Sequence, residues 1–540
     1  MRNRSDEATV IRPITALLLL TVLSVSGASP AGGQARDWWA HVTYLADDKL
    51  MGRGTGTDGR RQAAAYVAAA FQRAGLRPGG TQGYMQPVRF RERRIVEDRS
   101  SLALVRGGVV EPLALGVDAT LNMRADLSPT IEAPLVFLGY GLTAPEADHD
   151  DLAGLDVRGK VAVVLAGGPA RLSGPLLAHY QSMRWVTLRR AGAIGLVTIP
   201  NPRASDIPWE RSALARFIPQ MALADSGLDE TAGQRIAVTI NPARAEKLFA
   251  GSGHAFRDLL ALADSGRALP RFPLPISIKG TVTFESRELI SENVVGILPG
   301  TDPTLRNQYV VLSAHLDHVG VSRPIDGDSI YNGAMDNAAG TATLIETALA
   351  AARQAKRFKR SVVFLAVTAE EKGLLGSKYF AARATVPQGS IVANVNTDMF
   401  LPLFPMRGVI ANGIEESNLA DDLRRVTARR GIEAYADPEP ERNAFVRSDQ
   451  YSFIRQGIPS LSLKMGFVRG SPEHDIVKRF RAERYHAPSD EITQTVDLQA
   501  AESFNQLVLE LVEAIANRAD RPQWNANSFF RRFATPAAAN

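Results

Sequence analysis

Two histidines and several carboxylates sit just beyond apolar runs, where their side chains could meet. His315-Leu316-Asp317 follows the run 309–314, Glu370-Glu371 follows 361–368, and Asp398 follows 391–396. Asp336 precedes a helical pattern near 341–353, and His486 lies in a late Tyr485-His486-Ala487-Pro488 loop. Imidazole nitrogen and carboxylate oxygen are the donors zinc accepts, and a catalytic site keeps one position open for water. Two metals a few ångströms apart need a ligand that touches both. Asp336 suits that place because Gly333, Ala334, Ala338, Ala339 and Gly340 around it let the backbone come close. Adjacent Glu370 and Glu371 point to different sides of a strand end, so one can hold metal while the other handles a proton.

The elements that must position these residues follow from periodicity. The runs 309–314, 361–368, 391–396 and 459–463 are predominantly apolar, most clearly Val362 to Val367, as strands buried on both faces are. Between and after them, 341–353 and 500–518 repeat apolar residues at helical spacing, as does 60–75 nearer the start. Strand and helix in alternation predict an α/β fold, a mixed, largely parallel sheet flanked by helices. In such sheets ligands bind beyond the carboxyl ends of the strands, the rim that these side chains share. The stretch 119–285 reads differently, with short β-like runs at 135–138, 161–165 and 194–199 separated by glycines and prolines.

Composition sets the limits. The chain has 540 residues, 45% hydrophobic and 22% charged, which calls for more than one domain. With 62 basic against 57 acidic residues and no long basic run, no nucleic-acid partner is expected. The absence of cysteine removes disulfides, thiolate metal sites and a cysteine nucleophile. Arg2, Arg4 and Arg12 precede the apolar stretch 14–25, and Gly33-Gln34-Ala35 offers a small-residue cleavage site. That apolar stretch is shorter than the roughly 20 residues of a spanning helix. A removed signal peptide, export to a periplasmic or extracellular space and no stable membrane insertion are therefore expected.

The motifs then become specific. Asn293-Val294-Val295-Gly296, Leu298-Pro299-Gly300, His315-Leu316-Asp317-His318, Asn332 to Gly340 and Thr368-Ala369-Glu370-Glu371-Lys372-Gly373 resemble the M28 family of zinc peptidases. Arg447-Ser448-Asp449, Gly457-Ile458-Pro459 and the early Leu50 to Gly56 fit as well, and the likeness covers roughly 38–518. Gly139-Tyr140-Gly141, Gly159-Lys160-Val161 and Gly192-Ala193-Ile194-Gly195 resemble an inserted protease-associated (PA) domain. The resemblance implies a zinc-exopeptidase fold divided as 1–35 signal peptide, 36–118 first part of the catalytic domain, 119–285 inserted PA-like domain, 286–520 catalytic domain and 521–540 flexible tail.

It also implies two zinc ions per chain. His315 and Asp398 would bind one, Glu371 and His486 the other, with Asp336 as bridge and Glu370 as general base. Asp317 would orient His315, and Asp449 and Asp490 would stand behind the ligands. The implied activity is aminopeptidase action on peptides with a free N-terminus. The alternatives on the same fold are a glutaminyl cyclase, a carboxypeptidase or a receptor-like protein without activity. Where some relatives place a tyrosine before Ser-Asp to stabilise the oxyanion, this chain has Phe445, which leaves Tyr451 and Tyr485 as candidates.

Overall fold

The computed structural model describes residues 33–534 except 173, 205 and 206, and among these the chain builds two large sheets. The larger runs in the order Gln220–Leu223, Met85–Ile95, Phe284–Leu298, Ser361–Val367, Tyr309–His315, Ile391–Thr397, Ser460–Met465, Gly408–Asn412, Glu433–Tyr435, with Arg77–Pro78 beside Phe284–Leu298. Its four central strands, from Ser361–Val367 to Ser460–Met465, are parallel neighbours, and antiparallel pairs flank them on both sides. The expected mixed sheet is therefore present, but it is parallel only through its four central strands and the edge pair Gly408–Asn412 and Glu433–Tyr435, and antiparallel elsewhere.

The central strands are mostly apolar because helices cover both faces, with Asn394, Asn396 and Ser462 as buried polar exceptions. Val310, Leu312, Phe364, Leu461 and Leu463 face one core, with Phe71, Leu344, Phe504 and Leu511 from the helices Asp58–Arg73, Ala339–Arg353 and Leu498–Ala516. Val311, Val363, Leu365 and Val367 face the other, against Phe380 and Phe453. Alternate residues of one strand thus serve opposite cores. All three helices predicted from spacing are found within two residues of their expected ends.

The second sheet orders Val109–Leu113, Ser101–Arg106, Phe272–Thr281, Thr130–Phe137, Val161–Leu165, Gly195–Ile199, Ile236–Ile240 and Ala119–Leu121. It departs from the expected 119–285 boundary in two ways. The strands Ser101–Arg106 and Val109–Leu113 belong to it although they precede residue 119. Gln220–Leu223, from inside that range, instead pairs with Met85–Ile95 of the larger sheet and ties the two units together.

The expected flexible tail from 521 is also corrected. Trp524 Nε1 donates to Gly457 O at 2.9 Å, and Phe530 is fully buried against Phe445 and Ile454, so the chain is packed as far as 534. The expected signal peptide lies outside the described residues, apart from its last three positions, which open the helix Gly33–Leu45. Among the described residues no helix is long and apolar enough to cross a membrane.

Candidate metal centre

Every expected ligand arrives from the carboxyl rim of the central strands or from a loop that crosses it. His315 is the last residue of Tyr309–His315, Asp398 follows Ile391–Thr397, and Glu371 follows Ser361–Val367 by four positions. Asp336 precedes the helix Ala339–Arg353, and His486 follows the helix Pro472–Glu483. The close approach of Asp336 depends on its glycines. A Cβ on Gly333, at φ +61°, would lie 2.2 Å from Asp336 O and 2.5 Å from the His318 ring. One on Gly340 would lie 2.2 Å from Asn337 Oδ1 and 2.5 Å from Thr397 O.

The five side chains converge on Asp336. Its Oδ1 is 3.2 Å from His315 Nε2, and that nitrogen is 3.3 Å from Asp398 Oδ1. Its Oδ2 is 3.3 Å from His486 Nε2, and that nitrogen is 2.9 Å from Glu371 Oε2. One carboxylate thus faces two histidine–carboxylate pairs, one through each oxygen. Single donor atoms of His315, Asp336 and Glu371 all lie within 4.8 Å of one another.

The charges divide four of the carboxyls that line the neighbouring cavity, Asp336, Glu370, Glu371 and Asp398. Burial works against charge on Asp336, Glu371 and Asp398, but the facing histidines override it and hold all three below their ordinary range. Glu370 goes the other way. Burial pushes it well up, and Asp398, Glu371 and Asp449 add to that against the pull of His315. The imidazoles mirror this: burial would lower His486, yet Glu371 and Asp336 push it up to about 10. N and O donors in this arrangement fit a divalent cation such as zinc.

The surrounding residues only partly follow expectation. Asp490 accepts the Met335 and Asp336 backbone N–H groups, directly behind Asp336. Asp317 meets His315 Nδ1 through its backbone carbonyl, at 3.1 Å, and not through its carboxylate. That carboxylate instead accepts the Glu370 N–H and the Thr55 hydroxyl, which fixes the turn carrying the two glutamates. Asp449 is fully buried, and burial pushes its carboxyl up to about 7.

Tyr451 is removed as an oxyanion candidate: its hydroxyl contacts His179 and Ser182, away from the cluster. Tyr485 lines the cavity with Glu370, Glu371 and Asp336, its ring stacked on His486 at 3.9 Å.

Three residues escaped the sequence reading. His318 Nδ1 lies 2.8 Å from Glu371 Oε1, and its buried Nε2 has no hydrogen-bond partner among the described residues. Its place three residues after His315 was the available signal. Arg53, fully buried, donates to Leu316 O, Asn332 O and Gly333 O, and so pins together the loops bearing His315 and Asp336. Arg124 reaches across from the second unit to Glu371 O at 3.1 Å. That unit also walls a cleft of about 950 Å³ in front of the cluster, bounded by Arg124, Trp209 and Thr239 on one side and Glu371, Lys372 and His486 on the other.

The description of peptidase family M28 matches residues 293–512, the segment that supplies every residue of this cluster. Over that segment the chain is similar to peptidase family M28. The whole fold is similar to that of an aminopeptidase from Aneurinibacillus sp. strain AM-1, with a TM-score of 0.53 and 20% identity over 91% of this chain and 98% of that one.

Among curated proteins, leupeptin-inactivating enzyme 1 of Streptomyces exfoliatus is 28% identical over 178 residues, 33% of this chain and 36% of that protein. The match thus spans about a third of that relative. A hydroxyethylthiazole kinase from Burkholderia pseudomallei (strain 668) is 27% identical over 252 residues, 41% of this chain and 86% of that protein. The cluster around Asp336 lies wholly within the segment that is similar to peptidase family M28.

Proposed function

We propose that this chain is a peptidase of family M28, an exported, co-catalytic two-zinc aminopeptidase. The observation that carries the reading is Asp336, whose two carboxylate oxygens each face a separate histidine–carboxylate pair. His315 and Asp398 would hold one ion, Glu371 and His486 the other, and Asp336 both. When bound, the zinc ions polarise the scissile carbonyl and bring the pKa of a water toward neutrality.

Glu370 opens onto the same cavity as Asp336, Glu371 and Asp398, and it alone of the four is driven toward its protonated form. A carboxyl that holds a proton readily can take one from the attacking water and return it to the leaving nitrogen. Asp317 and Thr55 keep its backbone in place. The Tyr485 hydroxyl supplies the oxyanion donor that Phe445 cannot. The substrate's free α-amine, in its neutral form, would be held at one of the two ion positions. The unit at 101–281 is read as the PA-like insertion, with Arg124 and the cleft wall limiting access to the cluster.

A second reading has one observation in its favour: Arg447 and Lys464 line the cavity and could hold a terminal carboxylate, as a carboxypeptidase requires. One experiment separates the two. Purified protein is assayed for zinc and given one peptide in three forms: free at both ends, N-acetylated and C-amidated. About two zinc ions per chain, cleavage of the free and amidated forms and none of the acetylated form are expected. Release of the C-terminal residue would reverse the assignment, and hydroxyethylthiazole phosphorylation without peptide cleavage would replace it.

A further inference from the structure

Beside the cluster, a cavity of about 240 Å³ is walled by Met399, Leu401, Ile410, Met465, Phe467 and Val477. Its floor is polar. Asn412 and Ser462 both line it and are register partners on the antiparallel strands Gly408–Asn412 and Ser460–Met465. They are only 2% and 1% exposed. Neither Asn412 Nδ2 nor Oδ1 has a hydrogen-bond partner among the described residues, and nor has Ser462 Oγ.

The row continues to a third polar residue, which makes the contrast sharp. Asn396 is the register partner of Ser462 on the other side. Its amide is fully used: Oδ1 accepts from Ser313 Oγ at 2.8 Å, and Nδ2 donates to Ser448 Oγ and Gln450 Oε1 at 3.0 Å. Within one row the inner side chain is satisfied, and the two facing the cavity are not. Buried polar groups without partners are costly, and folds keep few of them without a use.

The charged residues of the cavity do not supply those partners. Glu439 is held by both Arg481 nitrogens at 2.8 and 2.9 Å and by His474 at 3.2 Å. The Lys464 charge acts on both Asp398 and Asp437, which offset it. What faces the cavity from the floor is therefore a neutral donor and a neutral acceptor on one amide, with a hydroxyl beside it. A primary carboxamide matches this set: its oxygen accepts from Asn412 Nδ2 and its nitrogen donates to Asn412 Oδ1. A carboxylate would set lone pairs against Oδ1, and a methyl tip would leave all three atoms unpaired. The apolar walls suit a methylene stem leading to that tip.

We propose that this cavity seats the side chain of the substrate's N-terminal residue and selects a carboxamide tip, glutamine first, with Asn412 and Ser462 as specificity-determining residues. The inference rests on the aminopeptidase reading above. Glutamine and methionine are close in shape and differ at the tip, so their ratio isolates the hydrogen bonds.

The test is kcat/KM of the zinc-loaded full chain for glutaminyl, glutamyl, methionyl and leucyl p-nitroanilides, with released amino acids identified by mass. Sites built to pair a polar group discriminate strongly against analogues that lack it, so a glutamine-over-methionine ratio of about tenfold or more is expected. Asn412→Leu should lower that ratio at least about tenfold, and Ser462→Ala by less. The ratio is taken within each variant, so loss of folded protein cancels. A wild-type enzyme that prefers methionine, or a ratio unmoved in both variants, overturns the inference while leaving aminopeptidase action intact. Faster cleavage of the glutamyl substrate would overturn the carboxamide in favour of Lys464. No cleavage of any free-amine substrate would remove the aminopeptidase reading, and this inference with it.

Discussion

Asp490 Oδ2 accepts the Asp336 backbone N–H at 3.0 Å, while the Met335 N–H reaches both Asp490 oxygens at 3.0 and 3.1 Å. A buried carboxylate thus fixes the backbone of the residue that faces both histidine pairs. It also receives Gln494 Nε2 at 2.7 Å, so its orientation is itself held. Asp490→Asn keeps the shape and loses the charge and one acceptor. Changes to such supporting groups typically cost about 10 to 100-fold in metal affinity. Zinc affinities measured by competition with a chromophoric chelator should fall by that order for both ions. Unchanged affinities would show Asp490 to be structural only.

Glu370 and Glu371 are neighbours with the same side chain, yet their surroundings differ. Glu371 faces His318 and His486, while Glu370 faces the cavity and the negative field of Asp398 and Asp449. Glu370→Gln should keep both zinc ions and lose about 10² to 10⁴-fold in kcat, the usual value of a general acid–base group. KM should move little. Glu371→Gln should lose one ion and regain part of its activity in added zinc. Zinc stoichiometry with kcat and KM for both variants decides this, and the opposite pattern would swap the roles.

Tyr485 is the cavity phenol beside His486, and its burial, with Asp336 and Glu371 nearby, keeps it protonated. Tyr485→Phe removes one hydroxyl and preserves the ring stack. Loss of an oxyanion donor costs about 10² to 10³-fold in kcat. Steady-state kinetics should show that loss with zinc content unchanged. A few-fold change would leave the oxyanion to another donor.

How much of this was legible in the sequence depended on how local each feature is. The central strands were readable because burial on both faces leaves an uninterrupted apolar run, as in 361–367. His315, Asp336, Glu371 and Asp398 stood out as candidates because each lies near an element boundary that periodicity marks, while His486, in a loop, and the division of roles among the five came from the family resemblance. The contact between His318 and Glu371 was not, since it depends on how the loop after residue 315 turns. Asn412 and Ser462 were invisible for a stronger reason: only the register between their strands makes them neighbours, and nothing within either strand fixes it. The strands at 101–113 carry the same short apolar alternation as either sheet, so the boundary at 119 missed them. The tail was read from its prolines and alanines, while Trp524 and Phe530, which anchor it, were passed over.

That anchored tail meets the second unit and the catalytic unit at His179, which gives the last prediction. His179 Nδ1 lies 2.9 Å from the Tyr451 hydroxyl, and its ring is surrounded by Phe529, Phe530 and Phe533. Burial pushes its pKa down to about 4, with Arg455 and Arg532 adding to the effect against Glu146. In the unfolded chain it titrates near 6.5. Above 6.5 both states are neutral and the full stability is present. Between 6.5 and about 4 the unfolded chain binds the proton and the folded one does not, so stability falls as pH falls. Below about 4 both are charged and the loss levels off. The difference amounts to about 2 kcal/mol by pH 5, less whatever solvent reaching the ring screens away. His179→Gln can keep a hydrogen bond to Tyr451 and cannot titrate. Chemical denaturation at pH 7 and pH 5, with zinc held equal, should show the wild type losing more stability than the variant by about that amount. Equal losses in the two proteins would mean that this three-way junction opens to water, and that His179 is protonated within the fold.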